Sequence, residues 1–548
     1  RLSVWHGRGR GGVFHPDSVD ERHFGRGASD DAHGNRVHPG GKEAAAVMKR
    51  RFKEKAVAEK AGQSVLAAEA ADGSVSFGRT PMVAGDGNGG EYTTSVAVVG
   101  AGASGLMAAV TAARAGADVL LIDGNEQVGR KLLSTGNGRC NFTNRRQTMD
   151  CYRSGQPEAV QAVLEQFPVS RMLSFFEEIG IRPAERQGYY YPYTNAAADV
   201  RDCFEMELRR LGVRTLLGYR VCGIGKEDGQ FQLKLCKRTS GALGSKGHPA
   251  VSDANGKSDE KNGGSGAGRK DENADGEWMV CASACILATG GQAFPKSGSD
   301  GFGYRLAKDF GHHLIPVAPA LVDLRCNEKF FHRLKGIRVA AEVRLFVDGR
   351  LAARDLGEVQ LTERGISGIP VFNVSRYAAK ALAGNEVTAE LDFLPELSVA
   401  ETVDELKQRL WSYGWGKTVS EAFRGLLHQR LAEVVLGYAK IDAAADAAEL
   451  DGWQVKQLAE ACKAFSVSVA GAGGFDKAQT TAGGVPLSEV DPKTLESAYC
   501  KGLYLCGELL DVDGICGGYN LSWAWASGYV CGTAAGGMIQ SACVSAEK

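Results

Sequence analysis

The sequence predicts an α/β protein in which one Rossmann-like sheet is assembled from two distant parts of the chain. The first observation is a buried-strand pattern at Ser95–Val99, followed by a Gly-x-Gly-x-x-Gly turn and an alanine-rich helix at Ala103–Ala115. The second is a glycine-rich strand-turn-helix pattern that recurs near the C-terminus, from Gly502 onward. The third is a change of pattern between Pro316 and Thr481, where strands and then helices replace the glycine-rich turns. A chain that leaves a sheet and returns to it can close around a long ligand.

These changes of pattern divide the 548-residue chain. Residues 1–90 are rich in Gly, His, Arg and Asp without hydrophobic periodicity, which predicts a disordered N-terminal extension. Residues 95–316 form the first part of the sheet domain, and a Gly/Ser/Lys-rich stretch at 239–277 reads as a flexible insertion in a long hairpin. Residues 317–480 are expected to form an inserted domain of strands and helices, and 481–540 the second part of the sheet domain.

The N-terminal extension offers two further interpretations. The chain begins at Arg1 and its first methionine is Met48, so residues 1–47 are either a wrongly assigned start or a processed extension. A basic stretch follows at 49–60 and could contact nucleic acid. A solvated disordered tail is the favoured interpretation of that stretch.

Composition argues against several classes of function. The formal net charge of −1 gives no global reason to expect a nucleic-acid or membrane partner, and no apolar run approaches the length of a membrane span. The fourteen cysteines are scattered without a Cys-x-x-Cys motif, and no export signal is present, so a reduced, cytoplasmic chain is expected. Cys281 and Cys285 lie on a predicted strand, where we expect them to pack as small apolar side chains and not to bind a metal.

Each glycine of the first turn has its own physical reason. Gly100 allows the tight bend, Gly102 lets the backbone approach a pyrophosphate, and Gly105 permits close packing of helix against strand. The phosphates would then meet N–H groups at the positive end of the helix, at Ala103–Ser104. Asp123 lies 18 residues beyond Gly105 at the end of the next predicted strand, where an acid accepts hydrogen bonds from ribose hydroxyls. The turn therefore predicts a dinucleotide site.

A polar loop follows this acid almost directly. Between Gly129 and Asn144 it carries three cations, two alternating glycines and several amide or hydroxyl side chains. Its backbone amides can surround a phosphate while the cations neutralise the charge, although a solvated loop is the simpler alternative. The candidate cofactor residues of this loop are Arg130, Lys131, Gly136, Asn137, Gly138, Arg139, Cys140 and Asn141.

The C-terminal pattern indicates which dinucleotide is bound. A strand at Leu503–Cys506 is followed by a second turn and by Gly517–Gly518, which opens a helix of small residues. The start of that helix could stabilise negative charge at the pyrimidine edge of a flavin, and Glu508 could bond a ribityl chain. FAD is the predicted cofactor, since NAD needs only one such turn. The remaining candidate cofactor residues are Val221, Thr289, Gly290, Gly507, Glu508, Gly518, Tyr519, Asn520 and Leu521.

Six motifs occur together and in order between about Ser95 and about Gly537. They are Val98–Leu106, Gly129–Leu133, Gly136–Asn141, Gly365–Gly368, Gly483–Val485 and Leu510–Leu521. With them the chain resembles the BaiN/RdsA-like FAD-dependent oxidoreductases, a group also described as NAD(P)/FAD-dependent oxidoreductases or aminoacetone oxidase family FAD-binding enzymes. The resemblance implies a split FAD domain of the glutathione-reductase type, with an insert that contains a partial β-barrel and a helical bundle.

The same resemblance implies which motif positions contact FAD. They are Gly100–Gly105, Asp123, Arg130, Lys131, Gly136–Asn141, Thr289–Gly290 and Gly518–Leu521. One departure is Asp123, where related flavoproteins more often carry the longer Glu, and this should shift the ribose contact slightly. No second Gly-x-Gly-x-x-Gly follows a strand, so NAD(P)H, the expected reductant, would have to reach the flavin from the substrate side, or another reductant is used.

Members of the family are associated with reduction of conjugated C=C bonds, in steroid-like small molecules and in uracil of ribosomal RNA. The predicted function is hydride transfer through FAD to such a bond of a small-molecule substrate. Reduction of a ribosomal RNA uridine to dihydrouridine is the alternative within that chemistry. Arg333, Lys335, Arg338 and Arg344 could hold RNA, but the sequence contains no recognisable RNA-binding module. An amine oxidase and a flavin-binding partner without activity are further alternatives.

Reduction of an alkene also needs a proton donor for the second carbon. Cys140 is the candidate catalytic residue, together with its neighbour Arg139, which could lower the thiol pKa or bind an enolate. A plain packing role for Cys140 carries equal weight. The run Tyr189–Tyr193 could line a substrate pocket or belong to the core.

Overall fold

The computed structural model describes residues 91–237 and 278–546, with side chains up to residue 541. The predictions for residues 1–90 and for the insertion at 239–277 lie outside these ranges. Within them the strands are β1 (Glu91–Val99), β2 (Val119–Asp123), β3 (Thr143–Asn144), β4 (Tyr152–Arg153), β5 (Pro183–Arg186), β6 (Tyr189–Pro192), β7 (Arg214–Leu217), β8 (Tyr219–Glu227), β9 (Gln230–Lys237), β10 (Trp278–Leu287), β11 (Ile315–Ala320), β12 (Leu324–Cys326), β13 (Arg338–Val347), β14 (Arg350–Leu361), β15 (Gly365–Gly368), β16 (Val387–Asp392), β17 (Phe465–Ala472), β18 (Thr480–Gly484), β19 (Leu503–Leu505) and β20 (Asp513–Gly514).

The α-helices of the same residues vary in length from a single turn to 28 residues. They are α1 (Ala103–Arg114), α2 (Pro157–Gln166), α3 (Val169–Glu178), α4 (Ala197–Arg210), α5 (Phe302–Asp309), α6 (Phe331–Leu334), α7 (Ile369–Ala381), α8 (Val399–Lys407), α9 (Val419–Ala422), α10 (Gln429–Tyr438), α11 (Gly452–Lys463) and α12 (Tyr519–Ala546). The predicted strand and helix that flank the first glycine turn are both present.

The central sheet has seven strands in the order β7-β2-β1-β10-β9-β8, and β19 also pairs with β10. The pairs of β1 with β2 and β10, of β2 with β7, and of β10 with β19 are parallel. Strand β1 is buried on both faces, with Val96, Ala97 and Val98 fully covered, as a parallel strand between layers of helices requires. These features make the fold Rossmann-like.

Strand β10 is the point at which the late part of the chain rejoins the sheet. Its first half, from Trp278, pairs with β9 in an antiparallel hairpin, and its last three residues pair with β19. Helix α12 then lies against α1, and glycines allow the contact. A Cβ on Gly528 would lie 2.3 Å from the Ser104 carbonyl oxygen, and one on Gly532 would lie 2.4 Å from that of Ala108. The first half of α12 is therefore held against α1.

A second core lies in a closed barrel of six strands, in the order β12-β15-β14-β13-β16-β17. Alternate residues of β13 (Ala341, Val343 and Leu345) are fully buried, which is the period of a half-exposed strand. They pack with apolar residues of helices α7 to α11. The resemblance implied a partial barrel, whereas the structure closes it by pairing β12 with β17.

Strands β7 and β8 are separated at Gly218, whose φ of +80° is a left-handed turn. One detail differs from the sequence-based expectations. The expectation of a fully reduced chain is wrong, since the structure contains a disulfide between Cys222 and Cys236 on the paired strands β8 and β9. Antiparallel pairing brings the two Cα atoms to 6.0 Å, within the range of a disulfide.

Cys281 and Cys285 both lie on β10, as predicted. The described helices include none that combines the length and the apolar character needed to cross a membrane.

Candidate functional site

The first glycine turn lies where three elements approach most closely. Gly100 has a φ of +105°, and a Cβ there would lie 2.4 Å from the carbonyl oxygen of Ala288, at the end of β10. A Cβ on Gly105 would lie 1.8 Å from the carbonyl oxygen of Gly100. Both positions therefore exclude any side chain, which confirms the packing reasons inferred for these two glycines.

Gly102 is different, because a Cβ there would meet nothing within 4 Å. Its φ of −76° is open to any residue, and it is the N-cap of α1 with no side-chain hydrogen bond to the helix. The position faces a cavity of about 160 Å³. Because a helix N-terminus leaves backbone N–H groups without intrahelical partners, this cradle offers donors to an anion.

We call this space the first cavity. Its wall combines the glycine turn, the polar loop, the end of β10, the end of the barrel and the start of α12. The lining residues are Gly100, Ala101, Gly102, Ala103, Asp123, Asn125, Arg130, Lys131, Leu132, Thr135, Ala288, Thr289, Gly290, Ser297, Gly298, Ser299, Gln479, Thr480, Glu508, Val512, Asn520, Leu521, Trp523 and Ala524.

Asp123 is held rigidly at the edge of the first cavity. Its carboxylate accepts hydrogen bonds from the backbone N–H of Ala101 at 2.7 Å and of Asn125 at 2.7 Å. The Asn125 side chain donates to the same carboxylate at 2.8 Å and accepts from Arg130 at 3.0 Å. The acid is thus fixed beside the turn, and Asn125 ties it to the polar loop.

A salt bridge joins the two ends of the predicted site. The Lys131 ammonium lies 2.7 Å from one Glu508 carboxylate oxygen, with both side chains about one-fifth to one-quarter exposed. The other oxygen accepts from the backbone N–H and the hydroxyl of Thr481, at 2.9 and 2.7 Å. Glu508 is therefore the residue at which the polar loop, the barrel return and the C-terminal turn meet.

The start of α12 is built by glycines as well. Gly518 has a φ of +95°, and a Cβ there would lie 2.9 Å from both the Asn141 side-chain oxygen and the Thr143 carbonyl oxygen. The Asn520 amide donates to the carbonyl of Gly514 at 2.9 Å and accepts from its N–H at 2.8 Å. This arrangement holds the first turn of α12 against the polar loop.

The residues present fit a flavin dinucleotide. Gly102 leaves an open cradle at a helix N-terminus, the shape a pyrophosphate needs. The Thr289 hydroxyl is buried in the wall of the first cavity without a hydrogen-bond partner among the described residues, and so is the Asn141 side-chain oxygen in the adjoining wall. Such buried polar atoms are costly unless something binds them.

A second cavity of about 460 Å³ adjoins the first and shares Lys131, Thr135, Gln479, Asn520 and Leu521 with it. Its further lining residues are Ser134, Gly136, Asn137, Arg139, Asn141, Phe294, Leu321, Ile369, Phe372, Lys477, Ala478, Ile515, Cys516, Gly517 and Gly518. The lining therefore combines apolar side chains with cationic and polar ones. That combination suits an organic substrate with a polar group.

The structure brings most of the predicted cofactor residues to these walls. Those on the first cavity are Gly100, Gly102, Ala103, Asp123, Arg130, Lys131, Thr289, Gly290, Glu508, Asn520 and Leu521. Those on the second alone are Gly136, Asn137, Arg139, Asn141 and Gly518. Val221 lines a smaller space of about 70 Å³ beside Asp123. Residues that line none of these are Ser104, Gly105, Gly138, Cys140, Gly507 and Tyr519.

Cys140 does not reach either cavity. It is fully buried, and burial raises the pKa of its thiol to about 12, only partly offset by a hydrogen bond with Thr135. The expected lowering of this pKa by Arg139 is therefore wrong in direction. The Arg139 guanidinium lies instead over the Tyr191 ring, 5.4 Å from its centre. The geometry favours the packing role for Cys140.

The aromatic run and the basic residues also make contacts within the protein itself. In the run Tyr189–Tyr193, strand β6 pairs with β3 and β5 beside the polar loop, and the run lines neither cavity. Lys335 and Arg338 are paired with Glu363 and Glu358 at 2.9 and 2.8 Å. Arg344 lies 3.7 Å from Glu342, whereas the exposed Arg333 forms no ion pair with the described residues. Most of the predicted basic residues therefore have an acidic neighbour.

Several lining residues were missed by the sequence reasoning. Asn125, two residues after Asp123, had a detectable signal in its position directly after the strand end. Gln479 and Thr480 had none, because they reach the site only through the return of the chain from the barrel.

Comparison with known proteins places this geometry in a family. Residues 94–270 and 265–534 match the family model described as "HI0933-like protein Rossmann domain". The chain is 40% identical, over 80% of its length and 98% of the relative's, to the 3-dehydro-bile acid delta(4,6)-reductase of Clostridium scindens. It is 27% identical, over 80% and 98%, to the ribosomal RNA dihydrouridine synthase of Haemophilus influenzae.

Among solved structures, a 3-ketosteroid-delta4-(5alpha)-dehydrogenase from Rhodococcus jostii RHA1 aligns at 15% identity with 81% of this chain and 97% of its own, with a TM-score of 0.39. That likeness is too distant to bear on function. The family model, by contrast, covers most of the described residues, and the expectation that the chain is an oxidoreductase is confirmed. The resemblance inferred from the six motifs is thus confirmed, and the chain belongs to the HI0933-like family.

Proposed function

We propose that the chain is an FAD-dependent oxidoreductase that delivers hydride to a conjugated C=C bond of a small molecule. The observation that carries the proposal is that the two cavities lie side by side, with Lys131, Asn520 and Leu521 lining both. The first cavity has the backbone cradle of a dinucleotide site, and the second has room and an apolar wall for an organic substrate. The relative at 40% identity is named as a reductase of a dehydro-bile acid, which supports the same chemistry.

FAD, when bound, would supply the hydride. In this proposal the N–H groups at the start of α1, beside Gly102, hold the pyrophosphate, and Asp123 with Asn125 orients the ribose. The start of α12 presents its N–H groups at the junction of the cavities, where they stabilise negative charge. The proposed cofactor contacts are the predicted residues that line the two cavities, with Val221 beside the ribose acid.

We also propose that the fold is divided as the sequence suggests. The sheet domain, of the glutathione-reductase type, would comprise residues 95–316 and 481–540, and the barrel and helices of 317–480 would form the insert. The closed barrel and the two separate hydrophobic cores support this division. The apolar wall of the second cavity comes from the insert, at Leu321, Ile369 and Phe372, so the insert would contact the substrate.

The proton donor is better sought in the second cavity than at Cys140. Cys516 lines that cavity, and burial raises the pKa of its thiol to about 12. The thiol is therefore protonated at neutral pH but is a weaker acid than an ordinary cysteine, so its place in the cavity, which Cys140 lacks, carries the assignment. The Cys516 backbone N–H donates to the Asn373 side chain at 2.8 Å, and Asn373 in turn donates to Asp355 at 2.7 Å, which fixes the position of the cysteine.

Three measurements, made one after another, test the proposal. First, the purified protein is denatured and the released cofactor is identified by chromatography. FAD is expected, and FMN or no flavin would refute the cofactor assignment. NADPH and NADH are then compared as reductants by anaerobic flavin bleaching. Finally, a steroid with a conjugated enone is incubated with the reduced enzyme. Flavin that is reduced but not reoxidised by any enone would refute the substrate class.

Reduction of a ribosomal RNA uridine is the second candidate, supported by the relatives named as ribosomal RNA dihydrouridine synthases. Acidic partners of Lys335, Arg338 and Arg344 reduce the net positive charge of the surface that the sequence offered for RNA, which counts against this candidate. Mass spectrometry of ribosomal RNA from a deletion strain separates the candidates. Loss of a dihydrouridine would favour RNA, and an unchanged profile would favour the small molecule.

A further inference from the structure

A third cavity of about 480 Å³ shares no lining residue with the first two, and a smaller space lined by Arg376 and Phe372 lies between it and the second cavity. The third cavity is bordered by β4, the start of α2, the start of β11, the helix α7 and the segment before β20. Its volume lies within the range of small-molecule sites. Three cations line it: Arg153 from β4, and Arg376 and Lys380 from α7.

The positive charge in this cavity is only partly compensated. The Arg376 guanidinium is 14% exposed and lies 2.9 Å from an Asp513 oxygen, but its Nε is buried with no hydrogen-bond partner among the described residues. Arg153 donates to the Tyr377 hydroxyl at 3.1 Å, which is a neutral partner. Burial lowers the pKa of Lys380 most, and repulsion from Arg376 lowers it further, while attraction to Asp511 and Asp513 acts in the opposite direction. The three cations thus have two acidic neighbours between them. An anion would relieve that repulsion.

One acidic residue in the same wall restricts which anions the cavity can bind. Asp511 is 4% exposed, and one of its carboxylate oxygens is buried without a hydrogen-bond partner among the described residues. A bound anion next to this oxygen must donate a hydrogen bond to it, or two like charges would face each other in a buried site. Sulfate and carboxylate anions have no proton to give near neutral pH. A phosphate monoester, whose second pKa is about 6, can keep one.

The rest of the cavity has room for more than the phosphate. A single water molecule takes about 30 Å³ of liquid volume, and the cavity exceeds that many times over. Its uncharged wall includes Met149 and Ile315, which are suited to an organic group. We propose that this cavity binds a small phosphate monoester, with its phosphate held by Arg153, Arg376 and Lys380, and its remaining O–H donating a hydrogen bond to the Asp511 carboxylate.

The test uses the full-length, flavin-loaded protein, so that phosphates cannot bind in the cofactor cradle. Binding of inorganic phosphate, sulfate and 2′-AMP is measured by isothermal titration calorimetry at constant ionic strength, with the flavin absorbance as a check on occupancy. Phosphate is expected to bind at least tenfold more tightly than sulfate, and 2′-AMP more tightly than phosphate. Equal affinity for sulfate and phosphate, or no binding of either phosphate, would overturn the proposal. If inorganic phosphate binds but 2′-AMP binds no more tightly, the inference that the cavity also holds an organic group would be overturned.

Variants assign the binding to this cavity. Lys380→Gln is expected to weaken 2′-AMP binding at least tenfold, whereas Lys335→Gln, an exposed lysine in a surface ion pair on the barrel side, should leave it unchanged. Asp511→Asn keeps the shape of the side chain and removes its charge, so it should abolish the preference for phosphate over sulfate. Wild-type affinity in Lys380→Gln, or an intact preference in a folded Asp511→Asn protein, would show that the ligand binds elsewhere.

Discussion

Replacing Gly102 by Asp should weaken cofactor binding without destabilising the fold. The position has an ordinary φ of −76° and open space around its Cβ, so the backbone and the packing tolerate a side chain. Gly102 is also the N-cap of α1, and Asp is a better N-cap than Gly by a few tenths of a kcal/mol. Gly102→Asp should therefore leave the free energy of unfolding unchanged or slightly raised.

The same substitution should weaken the binding of FAD strongly. The new carboxylate would occupy the cradle in which the proposed pyrophosphate lies. Two unit charges 4 Å apart repel by about 4 kcal/mol at an effective dielectric constant of 20. Since 1.4 kcal/mol is a factor of ten, the affinity for FAD should fall by about a thousandfold or more. The assay is reconstitution of flavin-free protein with FAD, followed by the quenching of flavin fluorescence.

Two matched variants control this experiment. Gly102→Asn has nearly the same size and N-cap quality without the charge, so its smaller loss of affinity measures the steric part alone. Gly384→Asp places the same charge at an exposed glycine on the barrel side, where a Cβ also meets nothing within 4 Å. It should bind FAD like the wild type. Wild-type FAD affinity in a folded Gly102→Asp protein would refute the assignment of the cradle.

Three further predictions follow from the structure. Cys516→Ser should keep its flavin and lose at least tenfold in turnover of an enone, whereas Cys140→Ser, away from both cavities, should change turnover less than twofold; the reverse order would restore Cys140 as the acid. Gly518→Ala should destabilise the fold by about 1–3 kcal/mol in urea titrations, because its φ is +95° and a Cβ would lie 2.9 Å from its neighbours; unchanged stability would show that the loop can shift. Burial lowers the pKa of His312, which bonds Glu489 at 3.0 Å, so the unfolded chain binds the proton more tightly and stability should fall as pH drops below about 6.5. His312→Gln should flatten that loss, and an equally steep loss in the variant would assign it to other groups.

Much of the site could be predicted because it depends on local backbone requirements. The glycine turn needs Gly100 for a left-handed bend and Gly105 for contact with backbone, and such requirements are visible in the sequence. The acid at Asp123 follows from its place at a strand end. Cys140 was less predictable, because a motif position does not say which way a side chain points, and the structure buries this one.

The features that the sequence did not predict all depend on contacts between separate elements of the chain. The disulfide between Cys222 and Cys236 follows from strand pairing, and the closed barrel from the pairing of β12 with β17. The salt bridge of Lys131 with Glu508 joins residues far apart in sequence. No local pattern encodes such pairings, since they arise only when separate elements pack on a common core.

The sequence by itself determined the family, the Rossmann-like character of the sheet and the glycine positions of the cofactor site, because steric limits on backbone conformation act within a few residues. The sequence also predicted that the two glycine-rich elements meet, but only the tertiary structure decided through which contacts, because the packing of α12 on α1 and the pairing of β19 with β10 are long-range. The tertiary structure also decided which side chains line the second and third cavities, since a cavity is the space left between elements whose packing is set by the whole core.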